Sequence, residues 1–200
     1  KAVMGAFADP TIMLFLGGFV IAIIASKMGI DVQLARVLLL PFGKRSEFVL
    51  LGFLLVTGIF SMFISNTATA AMMLTFMAPV LRQLPEDDKG RIGLVMAIPI
   101  GANIGGMATP VGTPPNAIAL KYLNDPAGLG FNIGFGDWAM VMMPFTTLLL
   151  ILAWLLLIKL FPFKDKEIHL NIEGNTVKGP RLVIAYITLA LTIILWLLDK

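Results

Sequence analysis

Residues 61–69 read S-M-F-I-S-N-T-A-T, and they sit inside a run, 48–81, that holds no Asp, Glu, Lys or Arg. An Asn in such a run is costly unless it finds partners, which makes intramembrane polar clusters functional candidates. Ser61 and Ser65 are four apart, a spacing that puts both hydroxyls on one helix face. Asn66 and Thr67 follow, and both residue types compete with the backbone for hydrogen bonds and favour helix ends. The small residues Ala68–Ala71 then open a second helix. The arms on either side of Ser65-Asn66-Thr67 are 48–64 and 68–81, and the second is short for a membrane span. The turn between them carries no charge to hold it in bulk water. The reading is therefore a re-entrant helical hairpin over 47–82, with its tip near mid-membrane. Free N–H groups and the helix dipole at that tip suit an anion. Unwound carbonyls with Ser and Asn oxygens suit a hard cation such as sodium.

That reading needs a membrane, and the composition supplies the argument for one. Hydrophobic residues are 58% of the 200, charged residues 14%, and the mean hydropathy is +0.91. Soluble domains carry about 25% charged residues, so too little charge is present here to clothe a water-facing surface. The expectation is an all-α polytopic protein of the cell membrane. Nucleic acid is excluded as a partner: the net charge is only +3 and no Lys/Arg cluster stands on a polar scaffold. With no Cys and one His there is neither a disulfide framework nor thiolate chemistry, and little to hold a metal.

A second polar break lies downstream. Residues 99–118 read P-I-G-A-N-I-G-G-M-A-T-P-V-G-T-P-P-N-A-I, inside another charge-free run, 92–120. Pro99, Pro110, Pro114 and Pro115 cannot all sit in one regular helix. The reading is a broken transmembrane helix over 91–123, interrupted at about 109–114. Irregular backbone at membrane depth is tolerated only where protein buries it or it lines a wet cavity. Thr113 is placed to N-cap the second half with Pro114 at N1. The glycines of 101–106 allow close helix approach. Paired interruptions of this kind point to a transporter binding site, with two half-helix N-termini sharing one anionic ligand. No acid or base lies in either break, which disfavours a proton relay and favours sodium held by neutral oxygens.

Three further charge-free runs, 10–26, 138–158 and 182–198, complete the layout: a scaffold transmembrane helix at 10–28, a transmembrane helix at 138–161 and another at 181–199. Residues 29–46, with Asp31, Arg36, Lys44 and Arg45 among Leu and Val, read as an amphipathic interfacial segment. Residues 162–180 read as a cytoplasmic loop containing an exposed His169. Lys and Arg outnumber Asp and Glu four to two over 27–47 and five to three over 159–181. Those segments and the 82–91 turn are therefore expected on one, cytoplasmic, side, and 121–137 on the other. Trp138, Trp196, Tyr122 and Tyr186 read as interfacial anchors and Trp154 as deeper, and the methionines read as packing or lipid-facing. A span running up to Asp199-Lys200 leads to the expectation of one half of a larger transporter.

At S-N-T (65–67), at G-T-P-P-N (112–116) and at A-M-M-L-T (Ala71–Thr75), the sequence resembles the divalent anion/sodium symporter family, the sodium-coupled dicarboxylate and citrate transporters. The resemblance runs from the helix at 10–28 to the span at 182–198, with the motifs in the family's order and spacing. It implies one of two inverted repeats, the N-terminal one, followed by the first helix of the next repeat. It also implies a homodimer whose transport domain moves as an elevator. By resemblance, Ser61, Ser65, Asn66 and Gly112 form a sodium site. Ser65, Asn66 and Thr67 contact a substrate carboxylate, and Thr113 lies beside the substrate and influences its size. The implied function is sodium-coupled uptake of di- or tricarboxylates such as succinate, the alternative being another anion such as sulfate or arsenite. An intramembrane enzyme would need paired Asp, H-E-x-x-H or a Ser/His pair in the membrane, and none is present. A channel would favour a continuous pore rather than two opposed half-helix ends.

Overall fold

The computed structural model describes residues 10–168 and 179–198; His169 and most of the 162–180 loop lie outside them. The described residues are helical apart from turns and one isolated bridge, Arg45 with Glu167. Helix α1 covers Pro10–Lys27 and α2 covers Ile30–Leu39, continued by a short tight turn at Leu40–Phe42. Gly29 joins α1 to α2 in the left-handed conformation (φ +64°), which glycine adopts without steric cost. There the chain turns by 77°. The remaining helices are α3 (Ser46–Ser61), α4 (Asn66–Leu81), α5 (Gly90–Gly106), α6 (Pro114–Asn124), α7 (Phe135–Leu160) and α8 (Pro180–Leu198).

Helix α7 is the one described helix long and apolar enough to cross a membrane alone. Its 26 residues rise about 39 Å at 1.5 Å each, and Met140, Val141, Leu148, Leu152 and Leu156 are exposed along it. Ile184, Leu191 and Leu195 are exposed on α8. Contiguous apolar surface of this kind calls for a non-aqueous cover. Helices α3 and α4 have 16 residues each, shorter than a span. They are joined at Met62–Ser65 into a helical hairpin.

Helix α3 is the centre of the core. Val49, Leu50, Phe53, Leu54 and Val56 are fully buried against Leu94, Ala97 and Ile98 of α5 and against Met73 and Met77 of α4. The α3–α5 crossing is backbone on backbone. A Cβ at Gly105 would lie 2.2 Å from the Gly58 carbonyl oxygen, and one at Gly101 2.6 Å from the Leu54 carbonyl oxygen. Only glycine fits, so the Gly-rich 101–106 run does bring helices together, with α3 as the neighbour.

One end of this bundle is held by charge. The buried carboxylate of Asp88 accepts hydrogen bonds from Gly90 N at 2.7 Å and from Lys164 N at 3.1 Å. Ser46 N donates to Lys166 O, Ile168 N to Lys44 O, and Ser46 Oγ to Asp165 O at 2.6 Å. Lys164 and Asp87 form an exposed ion pair. Their hydrogen bond holds the Asp87 carboxyl below its ordinary range and raises the Lys164 ammonium. The segments around 44–46, 82–90 and 161–168, which the Lys/Arg count put on one side, thus meet at one end. Both free ends of the α3–α4 hairpin lie there. Trp154, expected deeper, also reaches this end: its Nε1 donates to Glu47 O at 2.9 Å and its ring stacks on Phe48.

Candidate functional site

Within the charge-free runs 48–81 and 92–120 the chain leaves helical conformation at Met62–Ser65 and at Met107–Thr113. The two breaks are stitched together. Thr109 Oγ1 donates to Met62 O. A Cβ at Gly112 would lie 2.4 Å from Gly106 O and 2.9 Å from Ser61 O, so Gly112 is where three backbone segments converge.

At the first break α3 ends at Ser61, and Ser65 is the N-cap of α4, its Oγ accepting from Ala68 N at 3.4 Å. Ser61 and Ser65 therefore do not share a helix face as the spacing predicts, because the helix stops between them. Ser61 turns to the hairpin instead: its Oγ donates to Asn66 Oδ1 at 2.7 Å. Asn66 Nδ2 donates in turn to Asn103 Oδ1 on α5 at 3.0 Å. Ser61 is fully buried, Asn66 half-buried, and Ser65 and Thr67 exposed.

The second break is knitted to itself. Buried Asn116 donates through Nδ2 to Gly106 O at 2.9 Å and to Thr109 O at 2.8 Å, and Gly112 N donates to Thr109 Oγ1 at 3.1 Å. One side chain thus reaches two carbonyls that a continuous helix would satisfy, and Thr109 O accepts from Gly112 N as well. Thr113 stands at the N-cap of α6 with Pro114 at N1, but its side chain makes no cap bond. Pro114 and Pro115 have no N–H, and Asn116 N goes to the Thr113 carbonyl at 3.1 Å. The Thr113 hydroxyl has nothing to cap.

Ser65, Asn66, Thr67, Gly112 and Thr113 line one cavity of about 200 Å³, and no ionisable side chain lines it. Its polarity comes from two unequal helix ends. Helix α4 brings a dipole and first-turn N–H groups that have no intrahelical acceptor. Helix α6 brings a dipole only, since its first two residues are prolines. Behind the cavity the oxygens gather: a Cβ at Gly106 would lie 2.7 Å from Asn66 Oδ1 and 3.4 Å from Ser61 Oγ, and Gly106 O and Ser61 O flank Gly112. Hydroxyl, amide and carbonyl oxygens in such number form the donor set a hard monovalent cation takes.

All six residues predicted for the site, Ser61, Ser65, Asn66, Thr67, Gly112 and Thr113, fall at these two breaks. Asn103, Thr109 and Asn116 belong with them and were not singled out from sequence. The signal for Asn103 and Asn116 was the one already used for Asn66, an Asn inside a charge-free run.

Residues 1–200 match the model of CitMHS, described as citrate transporter. The chain belongs to this citrate transporter family. Among its relatives, an uncharacterized transporter of Schizosaccharomyces pombe is 35% identical, over 100% of this chain and 22% of that protein. An uncharacterized transporter of Haemophilus influenzae is 34% identical, over 98% of this chain and 41% of its own length. The sodium-dependent high-affinity dicarboxylate transporter 3 of Caenorhabditis elegans is 32% identical, over 90% of this chain and 35% of its own length. This member of the citrate transporter family thus spans well under half the length of the curated relatives it matches. Membership makes it part of a family of membrane transporters, not enzymes.

Proposed function

We propose that the chain carries one half of the binding site of a sodium-coupled transporter that takes up di- or tricarboxylates such as succinate. The supporting observation is the cavity at the two breaks, where the donor-bearing N-terminus of α4 stands beside a cluster of neutral oxygens. Ser65, Asn66 and Thr67 bind a substrate carboxylate at the α4 N-terminus. Sodium takes Ser61, Asn66, Ser65 and the backbone around Gly112, so the cation offsets the anion with no buried side-chain charge between them. Thr113, its hydroxyl free of capping, faces the substrate and sets its size. The α3–α4 hairpin is re-entrant, entering and leaving a cell-membrane bilayer on the charged side. The protein is multi-pass and works as a homodimer. The names of sodium-dependent dicarboxylate transporters among the relatives support both the ion and the substrate class.

Full-length protein in proteoliposomes tests this reading. Labelled succinate should enter only with an inward sodium gradient; equal uptake from choline-loaded conditions would overturn the coupling. Asn66→Ala should abolish uptake, because it removes a sodium oxygen and a carboxylate donor together. Normal uptake by that variant would remove the first break from the site.

A further inference from the structure

Next to the hairpin tip lies a larger cavity, about 480 Å³, between α1–α2 and the start of α4. Its polar lining is Ser26, Asp31, Ser65 and Thr69. Asp31 reads from sequence as one charge of an interfacial segment, but only 7% of it is exposed. Its Oδ1 accepts from the adjacent Val32 N at 2.8 Å, and no Lys, Arg or His whose side chain is described forms an ion pair with it. A buried carboxylate with one local hydrogen bond is unfavourable unless a cation stands beside it.

Thr69 supplies an independent observation. Thr57, Thr147, Thr188 and Thr192 each return their hydroxyl to the carbonyl four residues back, the usual resort of a helical threonine. Thr69 is fully buried and its Oγ1 has no partner. It sits one helical turn after Ser65, with which it shares the wall facing Asp31. An orphaned hydroxyl in a cavity whose one charged lining residue is a carboxylate is a ligand oxygen without its ligand.

We propose that Asp31, with Thr69, Ser65 and Ser26, forms a second sodium position, set between the α1–α2 elbow and the hairpin and distinct from the neutral-oxygen cluster behind Asn66. The volume leaves room for the ion to keep part of its water shell. Ser65 lines both cavities, so an ion held here bears on the hairpin tip. The proposal rests on the sodium coupling argued above, and its test separates the two.

The test is the melting midpoint of substrate-free, detergent-purified full-length protein, followed as sodium chloride replaces choline chloride at constant ionic strength. In the Asn66→Ala background the part of the sodium-dependent rise that depends on Asp31 belongs to this position, and any part supplied by the rest of the full-length protein is untouched by Asp31→Asn. Asp31→Asn added to that background should remove its part of the rise, or move its midpoint about tenfold or more upward in sodium, because affinity follows the charge of the ligand set. Thr69→Val should raise the midpoint in choline, since it removes an unpaired buried hydroxyl at nearly constant shape, while weakening the sodium response. A merely structural Thr69 would not give that pair of effects. Where Asp31→Asn does not fold, Thr69→Val carries the test alone. An unchanged sodium response in either variant, or none in Asn66→Ala itself, overturns the site. Sodium-driven uptake that persists with an unchanged response sinks the site and keeps the transporter. A response that depends on Asp31 without sodium-driven uptake keeps the site and sinks the coupling.

Discussion

The two helix breaks contain the same kinds of residue and use them differently. At Met62–Ser65 the polar groups are turned outward: Ser65 and Thr67 are exposed and the α4 N–H groups are intact. At Met107–Thr113 they are turned inward: Thr109 and Asn116 are buried, and their hydrogen bonds go to the break's own backbone and to Met62 O. Prolines then remove the donors that α6 would have offered. One break leaves its helix end and hydroxyls open to the cavity; the other holds irregular backbone in shape. Polar residues at a transmembrane interruption are thus not all binding residues. The division follows from which carbonyls and N–H groups the interruption leaves without partners.

Perturbing the frame on which both breaks hang should have the largest effect. Gly105→Val drives a Cβ into the Gly58 backbone, where no side chain can rotate away. The cost should exceed about 3 kcal/mol, the upper end of ordinary overpacking, read as loss of monodisperse folded protein. A variant that folds and transports normally would show that the α3–α5 crossing can open without cost. Next comes the inward break: Asn116→Leu leaves Gly106 O without its side-chain donor and Thr109 O with Gly112 N alone, at about 1–3 kcal/mol for a buried group left unpaired. That should appear as a lowered melting midpoint whether or not ligand is present. A midpoint equal to wild type would mean that the second break does not depend on its own hydrogen bonds.

The sharpest comparison is between the two N-caps, and its effects are smallest. Ser65→Ala loses a side-chain cap and should cost about 1 kcal/mol, together with weakened substrate and sodium binding. Thr113→Val loses no cap bond, so its melting midpoint should stay at that of wild type while the preference between short and long dicarboxylates shifts. Equal destabilisation by both would erase the distinction drawn between the breaks.

Much of the site was legible because the membrane reading makes polarity expensive. Ser65-Asn66-Thr67 and Gly112-Thr113 stand out against charge-free runs, and the prolines at 110, 114 and 115 predict an interruption at about 109–114, which overlaps the break observed at Met107–Thr113. The pairing of Ser61 with Asn66, rather than with Ser65, was not legible. Periodicity assumes a continuous helix, and the helix ends at the residue from which the count began. Asn103, Thr109 and Asn116 carried the right chemistry, but nothing local says whether an amide faces a ligand or a carbonyl ten residues back.

By itself the sequence determined the solvent, the positions of the breaks and the absence of ionisable groups from them, because each follows from composition along the chain. The tertiary structure decided which glycines touch which backbone, which polar groups are consumed in holding the breaks, and that Asp31 is buried and lines one cavity with Thr69. Those facts depend on the close approach of segments distant in sequence. A glycine or a carboxylate has the same local signature whether it faces water, lipid or another helix, and only packing assigns its neighbour.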